Sequence, residues 1–155
     1  MAPTPDFVLR LREHVGHAPL WLSGATAVVL DGDRVLLVRR ADTGAWTPIS
    51  GIVDPGEHPA TTAVREALEE AGVVIEVEAL VRVHVLPPTT YGNGDVTQYL
   101  DLVHRCRHVS GEPRVADEES VDVRWFALDA LPPMSDDMLA RLDAAVSFDG
   151  GVRLA

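Results

Sequence analysis

GIVDPGEHPATTAVREALEEAGV, residues 51–73, passes from a loop rich in Gly and Pro into a run of strong helix formers. Pro59 suits a first helical turn, where its fixed φ is already right and its missing N–H is not needed. Gly72 is a natural stop, so the spacing predicts a helix over about 58–71. Glu66, Glu69 and Glu70 fall within that helix with no lysine among them. Like charges three and four residues apart repel by about 0.2–0.5 kcal/mol per pair. Two readings account for this: a solvated face on which Arg65 pairs with Glu69 one turn on, or a site for a hard divalent cation that takes oxygen ligands. At about 100° per residue, Ala60, Val64, Ala67, Leu68 and Ala71 form one stripe and the glutamates lie opposite. The expectation is a helix packed through that stripe, with its carboxylates turned outward.

Outward from this helix, ATAVVL, the turn DGD at 31–33 and RVLLVRR read as a β-hairpin, because Asp-Gly favours tight turns that match strand twist. Ahead of it, residues 5–16 space Phe7, Val8, Leu11 and Val15 at helical intervals, and HAPLWLSG reads as a connector. ADTGAWTPISGIVDPGEHP reads as loop. Beyond Gly72, VVIEVEALVRVHVL is a long strand and PPTTYGNGD a turn-rich loop. VTQYLDLVHRCRHV is a strand with Leu100, Leu102 and Cys106 on one side, GEPRVADEES an acidic loop, and VDVRWFAL a further strand. SDDMLARLDAAV is a terminal helix with Ser135 as its cap. This order predicts an α/β protein, a mixed sheet with helices on its faces. No repeat or low-complexity segment interrupts it.

The 155 residues and 46% hydrophobic content fit a single globular domain. No apolar run approaches the roughly 20 residues that span a bilayer, and MAPTPDFVLR lacks the pattern of a secretory signal, so a cytoplasmic protein without membrane contact is expected. Cys106 is the only cysteine, which excludes an internal disulfide and suits core packing. The net charge of −11 argues against a nucleic-acid polymer as partner, since backbone binding needs a basic surface. It leaves nucleotides open, provided that metal ions bridge the two sets of negative charge.

Gly51, Glu57, Arg65, Glu66, Glu69, Glu70, Gly72 and Val73 stand in the register of the Nudix hydrolase signature, which this stretch closely resembles. The hairpin before it, Trp46, and VRWFALDAL near the end extend the resemblance from about residue 24 to 131. Two positions depart from the pattern. Ala67 replaces a larger aliphatic, and Ser50 in PISG stands where many members carry glycine, which puts the loop path in question because serine tolerates fewer backbone conformations.

The resemblance implies a Nudix-type α/β/α sandwich over residues 21–155, preceded by a helix and connector at 1–20 that could close the site or build a dimer contact. It implies hydrolysis of a pyrophosphate bond in a nucleoside diphosphate derivative with Mg2+ or Mn2+. By motif position Glu66 and Glu70 are metal ligands, Glu69 a ligand or water-organising group, and the Gly51 carbonyl a further donor. Glu57 ties loop to helix, and Arg65 holds carboxylates in place through its five donors. The general base is Glu66 or a glutamate of the late acidic loop, Glu118 ranking ahead of Glu119. His84, His104 and His108 take strand or surface roles, since carboxylates already suit a hard cation. Trp125 reads as core or sheet cover. For the substrate, Arg39 and Arg40 are candidate phosphate contacts and Trp46 and Tyr91 candidate stacking groups.

Pro88, 15 residues beyond Val73, tilts the reading towards ADP-ribose-like substrates. Tyr91, 18 beyond, points towards dinucleoside polyphosphates, and nucleoside triphosphates stay open. A non-catalytic ligand-sensing or interaction module is the alternative from another class, which the intact glutamates oppose. An isoprenoid diphosphate isomerase would need a cysteine in the active-site loop, whereas Cys106 lies in a strand pattern. A homodimer follows from family habit alone.

Overall fold

The computed structural model describes residues 4–155, which form eight strands and three helices. In chain order these are α1 (Asp6–Val15), β1 (Leu20–Asp31), β2 (Arg34–Arg40), β3 (Trp46–Thr47), β4 (Ile49–Ile52) and α2 (Pro59–Ala71). There follow β5 (Val74–Val85), β6 (Thr89–Thr90), β7 (Val96–Ser110), β8 (Ser120–Ala127) and α3 (Asp136–Val146). The mixed sheet runs β3-β2-β1-β7-β5, with β4 also on β1, β6 on β7 and β8 on β2. α2 covers one face and α3 the other.

The runs AVVL and VLLV are continuous rather than alternating because β1 and β2 are buried on both sides. Ala27, Val29, Leu36 and Val38 face α2 together with Ile49, Val73, Ile75 and Cys106. Val28, Leu30, Val35 and Leu37 face α3 with Val81 and Val103. Trp125 packs at the margin of the α2 core, with the Arg34 guanidinium 4.4 Å above its ring. α3 is capped by Ser135, whose hydroxyl accepts the Met138 N–H at 3.3 Å.

Several expectations are corrected. The segment read as a connector already contains the start of β1, which pairs in parallel with β7 from Leu20↔Thr97 to Leu30↔Arg107. The β1–β2 hairpin pairs only at its tip, Leu30↔Val35 and Asp31↔Arg34. Lower down, β1 gives that edge to β4, from Gly24↔Ile52 to Ala27↔Ile49, so the sheet forks there. β3 and β4 thus lie inside the stretch read as loop. Their Gly, Pro and Ser content hid short strands that exist only because β1 and β2 offer free edges.

The packing face of α2 is corrected as well. Ala63, Ala67 and Ala71 form the row against the sheet, and the adjacent row Thr62, Glu66, Glu70 is buried beside it, whereas Val64 and Leu68 are exposed at 38% and 56%. Small side chains at four-residue spacing let the helix sit close, which carries the next row of side chains below the surface. A reading by hydrophobicity excludes charged residues from burial and so turned the helix the wrong way. Only Glu69 of the three glutamates is exposed.

α1 buries only Val8, and Arg12 anchors it by donating to the carbonyls of Gly16, Ala18 and Val96 and to the Thr97 hydroxyl. On the α3 side lies a buried ionic seam. The Arg141 guanidinium donates to Thr26 Oγ1 at 3.1 Å and to Asp137 at 2.7 Å, and lies 3.3 Å from Asp101, which accepts from Thr26 at 2.7 Å. Among the described residues no helix is long and apolar enough to cross a membrane.

Candidate active site

The loop before α2 is fastened to the helix by one carboxylate. Glu57 accepts from Arg65 Nε at 2.8 Å and Nη2 at 3.0 Å, from the Thr62 hydroxyl at 2.8 Å and from the Asp54 N–H at 3.2 Å. The hydrogen bond from Arg65 leads in holding the Glu57 carboxyl down at about 2. Arg65 also donates to the Ile52 carbonyl at 3.3 Å, to Glu66 at 2.9 Å and to Glu69 at 3.2 Å. One guanidinium therefore joins β4, the loop and two helical glutamates, with its five donors fixed in one plane.

Gly51 pairs with Ala25 in the ladder between β4 and β1. A methyl group built on it would overlap the Glu66 carboxylate, so the absent side chain is what lets Glu66 lie against the strand. Ser50 sits extended in β4, and no residue other than glycine has a positive φ among the described residues. The loop path therefore makes no demand at position 50 that only glycine meets.

Glu70 accepts no side-chain hydrogen bond and makes no ion pair among the described residues, although it is 4% exposed. Burial, reinforced by the charges of Glu119, Glu66 and Asp117, pushes its carboxyl up to about 9. Burial also raises Glu66, to about 7, against the pull of Arg65. A desolvated carboxylate without a countercharge needs a proton or a cation. The oxygen-only donor set of Glu66, Glu70, Glu69 and the Gly51 carbonyl fits a hard divalent ion. Among the described residues no three acidic, histidine or cysteine side chains converge into a ready-made cage. Arg65 holds Glu66 and Glu69 through its two hydrogen bonds from Nη1.

The acidic loop closes the other side. The N–H groups of Arg114 and Ala116 donate to the carbonyls of Ala71 and Glu70 at 3.0 and 3.1 Å, which satisfies the end of α2. Glu119 is held by the Ala41 N–H on its carbonyl at 2.8 Å and is half-buried, with its carboxyl raised by burial and by Asp117. Glu118 is exposed. Of the two, Glu119 is the one that lies within the field of Glu69 and Glu70.

Of the other candidates, Arg40 points to the α2 side, bonded to Asp42 at 2.7 Å and within the field of Glu70 and Glu119. Arg39 and its cross-strand partner Trp46 belong to the α3 side, where Trp46 packs edge-on against Phe126 at 4.9 Å. Tyr91 spends its hydroxyl on Tyr99 at 3.0 Å. The structure does not bring these three to the motif carboxylates. Thr62 and Asp117, which it does bring there, carried no sequence signal, because a threonine in a helix and an aspartate in an acidic loop are commonplace.

A model of the NUDIX domain matches residues 21–145. The chain belongs to the Nudix family. It is 36% identical over 108 residues to a MutT-like protein of Streptomyces ambofaciens, covering 70% of this chain and 64% of that protein. It is 37% identical over 109 residues to the NAD-capped RNA hydrolase NudC of Pseudomonas aeruginosa, covering 69% of this chain and 36% of NudC. The chain therefore spans about a third to two thirds of the length of these relatives. The fold matches that of a UDP-X diphosphatase with a TM-score of 0.71 at 21% identity, over 99% of this chain and 76% of that one. The α/β/α arrangement is thus the Nudix fold, with α2 as its Nudix helix.

Burial of the Nudix-helix glutamates has a consequence for stability. Both folded carboxyls, at about 7 and about 9, lie above the ordinary value of 4.5. Groups raised in this way contribute stability that is complete below about pH 4.5 and is lost as pH rises through the folded values. In chelator, the thermal midpoint is expected to fall steadily from pH 5 to pH 9, and millimolar magnesium to restore most of the loss at pH 9. A midpoint that is flat across this range in chelator would contradict the buried placement.

Proposed function

We propose that the chain hydrolyses a pyrophosphate bond in a nucleoside diphosphate derivative, using Mg2+ or Mn2+ held by Glu66, Glu70 and the Gly51 carbonyl with Glu69 at the rim. The observation that carries this reading is Glu70, buried and without a countercharge beside Glu66. A divalent cation supplies neutralisation of the diphosphate oxygens and so makes phosphorus open to attack. The chain's own groups do the remaining work. Glu119 is placed to take the proton of the attacking water, its raised carboxyl bringing it nearer the range in which a general base works well. Arg65 fixes Glu66 and Glu57, and Arg40 exchanges Asp42 for a phosphate oxygen.

ADP-ribose-like compounds remain the first substrate class, on the strength of Pro88. The likeness to NudC narrows the expected exclusion of nucleic acid, because a capped RNA end presents the same pyrophosphate chemistry. The test is product analysis after incubation with magnesium and a panel of ADP-ribose, nucleotide sugars, dinucleoside polyphosphates, nucleoside triphosphates and an NAD-capped oligonucleotide. Selective, magnesium-dependent cleavage of one class is the expected result. Metal binding with no cleavage of any would favour a ligand-sensing role instead.

Gly51→Ala probes the same site from the strand side. The added methyl forces Glu66 away from β4, and a displacement of about 1 Å typically costs on the order of 100-fold in rate. The expected result is a loss in kcat of that order with the fold retained by circular dichroism. Unchanged kcat would show that Glu66 does not work from this position.

A further inference from the structure

Leu68, Glu69, Arg114, Ala116, Asp117 and Glu119 line a groove of about 530 Å³ between the outer side of α2 and the acidic loop. That volume suits a small nucleotide derivative. Leu68 is a large apolar side chain left 56% exposed on the Nudix helix, and with Ala116 it gives the groove an apolar wall. Glu69, Asp117 and Glu119 make the rest of its lining acidic. Arg114 is the lone cation among these lining residues, and among the described residues it forms no ion pair and no side-chain hydrogen bond, in a chain whose net charge is −11. Its backbone is pinned to Ala71, and its guanidinium crosses Gly72, where a Cβ would lie 2.7 Å from Nη1. The arginine is thus held at the groove without being used up by a carboxylate.

We propose that Arg114 is a substrate-binding residue which takes a phosphate of the diphosphate as a forked pair of hydrogen bonds, while the sugar lies along Leu68 and Ala116. The proposal rests on the hydrolytic reading above for the identity of the ligand. Its physical basis is that cations, if held by Glu66, Glu69 and Glu70, would neutralise only the diphosphate oxygens that they reach. The remaining oxygens would need a donor, and guanidinium matches phosphate in shape and charge. Glycine at 72 suits its φ of 67°, and the Arg114 side chain passes above it.

The test compares Arg114→Ala and Arg114→Lys with the unaltered chain, by titration with ADP in calcium and by steady-state hydrolysis in magnesium. For Arg114→Ala the expected result is ADP binding weakened and KM raised by about 10- to 100-fold, with kcat within threefold. Arg114→Lys should recover part of the loss, since it restores charge but not the fork. Thermal midpoints should agree within about 2 °C. Unchanged ADP affinity overturns the proposal, and a lowered midpoint with unchanged affinity assigns Arg114 to capping the end of α2 instead. An unaltered chain that binds ADP but cleaves nothing overturns the hydrolytic reading and leaves Arg114 to be judged by the variant's affinity. No ADP binding at all overturns the Arg114 proposal.

Discussion

Glu70→Gln is expected to abolish magnesium-dependent turnover, lowering kcat by about 1000-fold or more, while the protein without metal becomes no less stable than before. The two halves of this result have one cause. Glutamine keeps the shape but supplies no charge, and losing one preorganised charge from a site of this kind costs on the order of 100- to 1000-fold or above. The same charge is a burden when no cation is bound, because Glu70 is buried with no partner and its carboxyl stands at about 9. Comparing kcat in magnesium with thermal midpoints in chelator at pH 8 checks both. Turnover within threefold of the original would remove Glu70 from the metal site. A midpoint several degrees lower would mean that the carboxylate has a structural partner in the folded state.

Arg141→Met should produce the largest loss of stability. Arg141 is 5% exposed and is the countercharge for Asp101, which is 3% exposed. Burial already raises the Asp101 carboxyl, with Arg141 as the leading opposing influence. Removing one partner of a buried pair leaves an uncompensated charge and typically costs about 3–5 kcal/mol. For a chain of this size that corresponds to roughly 10 °C in thermal midpoint. Replacing both groups, Arg141→Met with Asp101→Asn, should recover more than half of the loss, because the charge that needed compensation is gone. A single variant within 2 °C of the original would show that the pair is hydrated rather than buried, and denaturant melts of the three proteins distinguish the outcomes.

Much of the site was legible because its spacing is local. Gly51, Glu57, Arg65 and the three glutamates lie within one loop and one helix, so a single stretch of chain holds both the residues and their register. The sidedness of α2 was not legible. Alanine carries too little hydrophobicity to mark the packing row, and a rule that sends charge outward cannot find Glu66 and Glu70 buried. The half-burial of Glu119 beside an exposed Glu118 was not legible, because the backbone there is held by the Ala41 N–H on the Glu119 carbonyl, a contact distant in sequence. Arg39 and Arg40 look equivalent in sequence, yet they face opposite sides of the sheet. β3 and β4 were missed because two- and four-residue strands draw their existence from neighbours distant in the chain.

The parallel pairing of β1 with β7 constrains how the chain can fold. Residues 20–30 find their partners only at 97–107, so during synthesis β1 must wait until residue 107 has been made before its central ladder can close. Until then the platform beneath α2 is incomplete, and the glutamates of that helix have no wedge to enter. Contacts of such sequence separation are slow to form because loop-closure entropy is lost before they bring any return. The nascent chain therefore passes through a period in which one edge of β1 is open although β2 and β4 are already available to the other, and the high negative charge guards that open edge against association with other chains.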